Sequence, residues 1–196
     1  MVALILDLIL FALTFTAVFS CFRTDGHWDV KRGLNVMKYY TVQSNILCAI
    51  TALTIAVCIL LGGVPRWAWL LKYIGTAAVT VTFMTVMVYL GPAAGYKKMF
   101  SGADLHLHLF GPLLAIVSFC FFERFHPLSF PLSLTAMIPV VLYGLLYMFK
   151  VICCPAERRW DDFYHFNDGG RWPLSFAAMI VGTLGICAGL YALCRL

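Results

Sequence analysis

Six long apolar runs, roughly Ala3–Phe22, Thr41–Gly62, Trp67–Leu90, Leu105–Phe122, Pro131–Phe149 and Pro173–Leu193, take up most of this chain. A helix needs about 20 apolar residues to cross the hydrocarbon core of a bilayer, and each run comes close to or exceeds that. Six crossings and their connections leave no room in 196 residues for a water-soluble domain. The runs therefore predict an all-α fold: a polytopic membrane protein, one bundle of six transmembrane helices, with residues 1–196 as a single domain. Composition agrees, with 62% hydrophobic and 12% charged residues, where soluble domains hold about 45–50% and about 25%. In water such a chain would expose more apolar surface than a soluble fold tolerates.

The first run has no basic residue before it and carries Asp7, unlike a cleavable signal peptide, so it reads as a retained helix. The formal charge of +5 does not imply a nucleic-acid partner, because the basic residues sit between apolar runs, where they set orientation. The connections 1–2, 3–4 and 5–6 carry ten of them: Arg23, Lys31, Arg32, Lys38, Lys97, Lys98, Lys150, Arg158, Arg159 and Arg171. The opposite side has four, Arg66, Lys72, Arg124 and Arg195. That asymmetry predicts that the first set of connections is cytoplasmic, with both termini on the other side. Of the eight cysteines, Cys48, Cys58, Cys120, Cys187 and Cys194 fall in apolar runs, where they act as small apolar residues.

The polar residues inside the runs are few. The second span opens Tyr39-Tyr40-Thr41-Val42-Gln43-Ser44-Asn45-Ile46-Leu47-Cys48. On a helix Thr41, Ser44, Asn45 and Cys48 share one face, which must look into the bundle because an unpaired amide in lipid is costly. One reading of this stripe is structural, with Thr41 as an N-cap and Asn45 bonding between helices. The fourth span opens Asp104-Leu105-His106-Leu107-His108, and Asp104 reads as its N-cap. Asp104 and His108 share a face, so the carboxylate can orient the imidazole. His106 and His108 diverge by about 200° on a helix, which argues against a shared metal ion. The connection Glu157–Trp172 interleaves aromatics with charge and reads as a segment lying on lipid headgroups. Thr41, His108 and this connection all fall at one face of the membrane.

At these residues the chain resembles the androgen-induced-protein/FAR-17a-like family of small multi-helix membrane proteins, in its bacterial-type members. The resemblance rests on the aromatic-aromatic-Thr-x-x-Ser-Asn opening, here Tyr39 to Asn45, and on a histidine shortly before a proline, here His108 and Pro112. It implies a membrane threonine hydrolase cleaving fatty acid esters of hydroxy fatty acids or similar lipid esters, without a cofactor. Thr41 is then the nucleophile and His108 the base, with His106 as the rival. Ser44, Asn45 or free amides at the first turn of the second span are candidates to hold the oxyanion. Asp104 supports the base, and Lys38 or Arg171 is placed to pair with a substrate carboxylate. Two other classes fit the same polar stripe: a non-catalytic scaffold or lipid-binding protein, and a small transporter. A transport site belongs near the midplane, whereas these residues sit near one edge.

Overall fold

The computed structural model describes residues 1–196 and holds six helices long and apolar enough to cross a membrane. They are α1 (Val2–Ser20), α2 (Tyr40–Leu60), α3 (Arg66–Ala94), α4 (Ala103–Phe122), α5 (Phe130–Cys153) and α6 (Trp172–Leu193). Each apolar run falls on one helix, and the chain is an all-α polytopic bundle. The ends shift by a few residues because short π-turns, Val86–Leu90 in α3 and Phe149–Cys153 in α5, lie at or near them. Sheet is confined to a hairpin of Arg23–Thr24 with His27–Trp28. Its turn, Asp25-Gly26, has positive φ at both positions (51° and 81°), the geometry an Asp-Gly pair favours.

Helix α3 is the centre, packed against α2, α4, α5 and α6. Half of the residues in its most apolar window are buried, against 17% for α6, which therefore turns most of its surface outward. The α2–α3 seam brings Cys48 and Thr51 of α2 against Gly75 of α3, with Ala52 and Val79 packed in the same buried cluster as Cys48. A Cβ on Gly75 would lie 2.6 Å from Thr51 Oγ1 and 3.1 Å from Cys48 Cα. Only glycine lets these two backbones approach so closely, the usual basis of helix packing in lipid.

Two Gly-Pro pairs shape the helices around the site. Gly111 N–H bonds to His106 O, one residue further back than an α-helix requires, and the chain makes a π-turn over His106–Phe110. The next residue, Pro112, has no N–H to give. Together these leave the Leu107 carbonyl without a helical donor, inside the bundle. The pair Gly91-Pro92 repeats the arrangement in α3, where Gly91 N–H bonds to Val86 O and the Met87 carbonyl accepts from the Tyr96 hydroxyl at 2.7 Å.

Three expectations change. Lys72 does not belong with the charges of the outer connections: it is fully buried, paired with Asp7 and Glu123. The basic asymmetry becomes ten against three. Asp104 is not the N-cap of α4; Gly102, at φ 57°, holds that place, and Asp104 lies exposed in the first turn. Thr41 is not an N-cap either, because Tyr39 caps α2 and Thr41 is the second helical residue.

Candidate functional site

The Thr41 face of α2 turns inward as its spacing requires: Ser44, Asn45 and Cys48 are buried and Thr41 is half-buried. Ser44 Oγ pairs with Thr82 Oγ1 of α3 at 2.8 Å. Asn45 Nδ2 donates to Thr41 O at 2.8 Å and to Leu107 O at 2.9 Å, the carbonyl freed by the Gly111-Pro112 turn. Gly111 makes room, since a Cβ there would sit 3.2 Å from Asn45 Oδ1. Ser44 and Asn45 thus spend their polar groups tying α2 to α3 and α4, and both lie outside the cavity that Thr41 borders.

That cavity, about 520 Å³, lies between the start of α2, the second half of α3, α5 and α6. Its volume is in the range of small-molecule sites, roughly 300–1,000 Å³. Its wall is mostly apolar, with Met84, Val88, Val140 and Met179 among the lining residues. Val88 and Tyr89, which line it, are exposed on the outer face of α3, so the cavity reaches the surface of the bundle. Thr41, Tyr164 and His165 border it from the start of α2 and the connection before α6, and Thr82, Thr85, Ser175 and Thr183 add hydroxyls elsewhere on its wall.

The connection before α6 supplies Tyr164 and His165, and beyond what its composition suggests it packs against the bundle. It folds back onto α5 around Tyr147, whose ring has Phe163 and Tyr164 at 4.9 and 5.3 Å. Asp162 fastens it: its carboxylate accepts from Tyr147 Oη at 2.9 Å, Phe166 N at 2.8 Å and Asn167 N at 2.7 Å. The fold delivers the Tyr164 hydroxyl to the first turn of α2, where it accepts from Tyr40 N at 3.1 Å. The hydroxyl and amide of Thr41 turn toward the same phenol. The first-turn amides of α2 are therefore engaged rather than free, and burial pushes the Tyr164 phenol above its ordinary range. It stays a neutral phenol at the edge of the cavity.

The histidines divide. His108 is buried, with Nδ1 bonded to Met99 O at 2.8 Å, which leaves Nε2 as the free ring nitrogen. A backbone carbonyl holds the ring, and the Asp104 carboxylate lies near enough to act on its charge without a hydrogen bond to it. His108 does not line the Thr41 cavity. His106 packs its ring 5.7 Å from Phe110, with Nδ1 buried and unpartnered, in surroundings separate from those of His108. His165 does line the cavity, and its Nδ1 faces Asp168 Oδ2 at 3.2 Å. Lys38 lies over the rings of Tyr39 and Phe163, 5.4 and 5.5 Å from their centroids, and Arg171 is exposed ahead of α6; neither lines the cavity. No protein-family model, curated protein or solved structure matches the chain.

Tyr164 and His165 are the site residues that sequence reasoning missed. Their only signal is the aromatic-acidic composition of the connection, which does not reveal that Asp162 gathers the chain back onto Tyr147.

Proposed function

We propose that this protein is an integral-membrane hydrolase of lipid esters, with Thr41 as the nucleophile. The observation that carries the proposal is the position of Thr41, a half-buried hydroxyl bordering a mostly apolar cavity beside the Tyr164 phenol and His165. A long-chain ester entering sideways buries its acyl chain among α3, α5 and α6 and presents its carbonyl to Thr41. The resemblance of Tyr39–Asn45 and His108–Pro112 to membrane threonine hydrolases supports the same reading. Attack by Thr41 Oγ1 on the ester carbon needs a base for its proton and a donor for the oxyanion. The Tyr164 hydroxyl, whose oxygen is held by the Tyr40 amide, is the candidate for the oxyanion donor. His108 is oriented for this role, since Nδ1–H donates to Met99 O and Nε2 is the ring nitrogen left uncommitted to the backbone. Collapse of the tetrahedral intermediate breaks the ester C–O bond and the base returns its proton to the departing alcohol, leaving an acyl ester on Thr41. Water, giving its proton to the same base, then attacks that ester, releases the fatty acid and regenerates the hydroxyl. We place connections 1–2, 3–4 and 5–6, and with them this site, at the cytoplasmic face, on the ten-to-three basic asymmetry.

One observation favours a second reading, a lipid-binding protein without catalysis: His108 lies outside the lining of the cavity that Thr41 borders. A fluorophosphonate probe and a panel of long-chain esters on the purified protein separate the two. Labelling and hydrolysis that are lost in Thr41→Ala and partly kept in Thr41→Ser support the hydrolase. A wild-type protein that binds lipid yet neither labels nor hydrolyses any ester supports the binding protein.

A further inference from the structure

At the end of the bundle away from Thr41, three helices bring ionisable groups together in the interior. Asp7 of α1, Lys72 of α3 and Glu123 at the end of α4 are all fully buried. Lys72 Nζ is bonded to Asp7 Oδ1 and lies 3.4 Å from Glu123 Oε1, and Ser118 Oγ donates to that same oxygen at 2.6 Å. The other oxygen of each carboxylate, Asp7 Oδ2 and Glu123 Oε2, is buried without a partner. Two carboxylates against one ammonium leave a net charge of −1 where no solvent reaches. An uncompensated charge in such surroundings is strongly disfavoured, and the cheapest remedy is to take up a proton.

We propose that Asp7, Lys72 and Glu123 form a proton-binding site that holds one exchangeable proton on the carboxylate pair. Uptake converts one carboxylate to a carboxylic acid at the unpartnered oxygen, Asp7 Oδ2 or Glu123 Oε2, and takes the cluster from −1 to neutral. Release returns the proton to water and restores the charge. Lys72 keeps its own proton throughout, because it faces both carboxylates. Two carboxyl groups beside one cation cannot both ionise without strain, the relation by which paired acids share a proton. The other titratable groups facing the cluster do not neutralise it. Cys48 approaches from α2 as a buried thiol, while Arg124 and His126, beyond the end of α4, are bonded to Cys120 O and Val64 O. A proton is favoured over a metal cation because the ammonium already occupies the space between the carboxylates. Since the cluster joins α1 to α3 and α4, its protonation acts directly on the packing of those helices.

Infrared difference spectroscopy of the full-length protein in lipid nanodiscs, titrated over pH and repeated in deuterated water, tests this. The expected result is one reversible carboxylic-acid carbonyl band per chain, isotope-shifted, and lost when Asp7→Asn and Glu123→Gln are combined. The double substitution leaves Lys72 as an unpaired buried ammonium, so each single substitution, which leaves a neutral carboxylate–ammonium pair, is measured beside it and is expected to lose the band as well; the wild-type titration stands by itself if the double variant does not fold. Absence of a protonated-acid band in wild type, or a band that survives the double substitution in folded protein, overturns the proposal. Displacement of the band by Na⁺ at constant pH overturns it as well, by making the ligand a metal ion.

Discussion

Asn45 donates to the Leu107 carbonyl at 2.9 Å, and that carbonyl is available only because Gly111 bonds one residue further back and Pro112 has no N–H. A side chain on α2 thereby repairs a backbone defect in α4, and the repair locks the first turn of α2, including Thr41, against the segment that carries His108. The defect and its remedy belong together.

Removing the remedy alone should therefore be expensive. Asn45→Ala leaves a buried carbonyl unpartnered, at about 1–3 kcal/mol, read as a lower unfolding midpoint in detergent. Pro112→Ala restores an N–H near the orphaned carbonyl, so Asn45→Ala in that background should lose less than it does alone. A double-mutant cycle measures the difference, and additive effects would show that the two residues act separately.

The cavity offers a test that leaves the polar groups alone. Gly182 of α6 lines it, and nothing lies within 4 Å of where its Cβ would be. Gly182→Phe should fill the chamber and sharply reduce binding of a long-chain lipid, while Gly182→Ala changes little. Equal binding by the wild-type and Phe proteins, measured with a fluorescent fatty acyl ester, would remove the chamber from the argument. Gly144 is not an equivalent position, because a Cβ there would sit 2.6 Å from Met179 Cε.

Asp162 accepts three hydrogen bonds that hold Tyr164 and His165 in place. Asp162→Ala should free the connection, since hydrogen bonds to a charged group contribute about 1.5–3 kcal/mol apiece when the partners are buried. Hydrogen exchange at Phe166 and Asn167 should accelerate by at least tenfold, with the six spans unaffected. Protection that stays at the wild-type level would mean that the aromatic contacts with Tyr147 suffice.

The spans were legible because hydropathy is a local sum, and the inward face of Thr41, Ser44, Asn45 and Cys48 was legible because helical spacing is regular. What escaped depends on groups distant in sequence. Lys72 looks like a flanking charge until α1 and α4 bring Asp7 and Glu123 to it. The Glu157–Trp172 composition suits a membrane surface, and only the bonds converging on Asp162 turn it into a wall of the cavity. The pair Gly111-Pro112 is visible in the sequence, but that it frees Leu107 for Asn45 follows only from the π-turn.

The identity of the base is open to direct decision, because two imidazoles satisfy different halves of the requirement. His108 is buried and has a backbone carbonyl on Nδ1, so its Nε2 is the nitrogen left uncommitted. His165 borders the cavity with Thr41 and has Asp168 at Nδ1, the arrangement of a carboxylate-oriented base, but its ring is exposed. A general base contributes about 100- to 10,000-fold to rate. If His108 takes the proton from Thr41, His108→Ala lowers ester hydrolysis by that order and His165→Ala only modestly, through a looser wall. The reverse ranking assigns the base to His165, and Asp168→Asn should then show a smaller loss in the same direction. His106→Ala is the control, expected to keep activity because that ring packs on Phe110. Combining Thr41→Ala with the true base variant should be scarcely worse than Thr41→Ala alone, since groups that act as one unit are strongly non-additive. A double variant that loses the product of both single effects would mean that the histidine chosen works independently of Thr41, and the pairing would have to be abandoned.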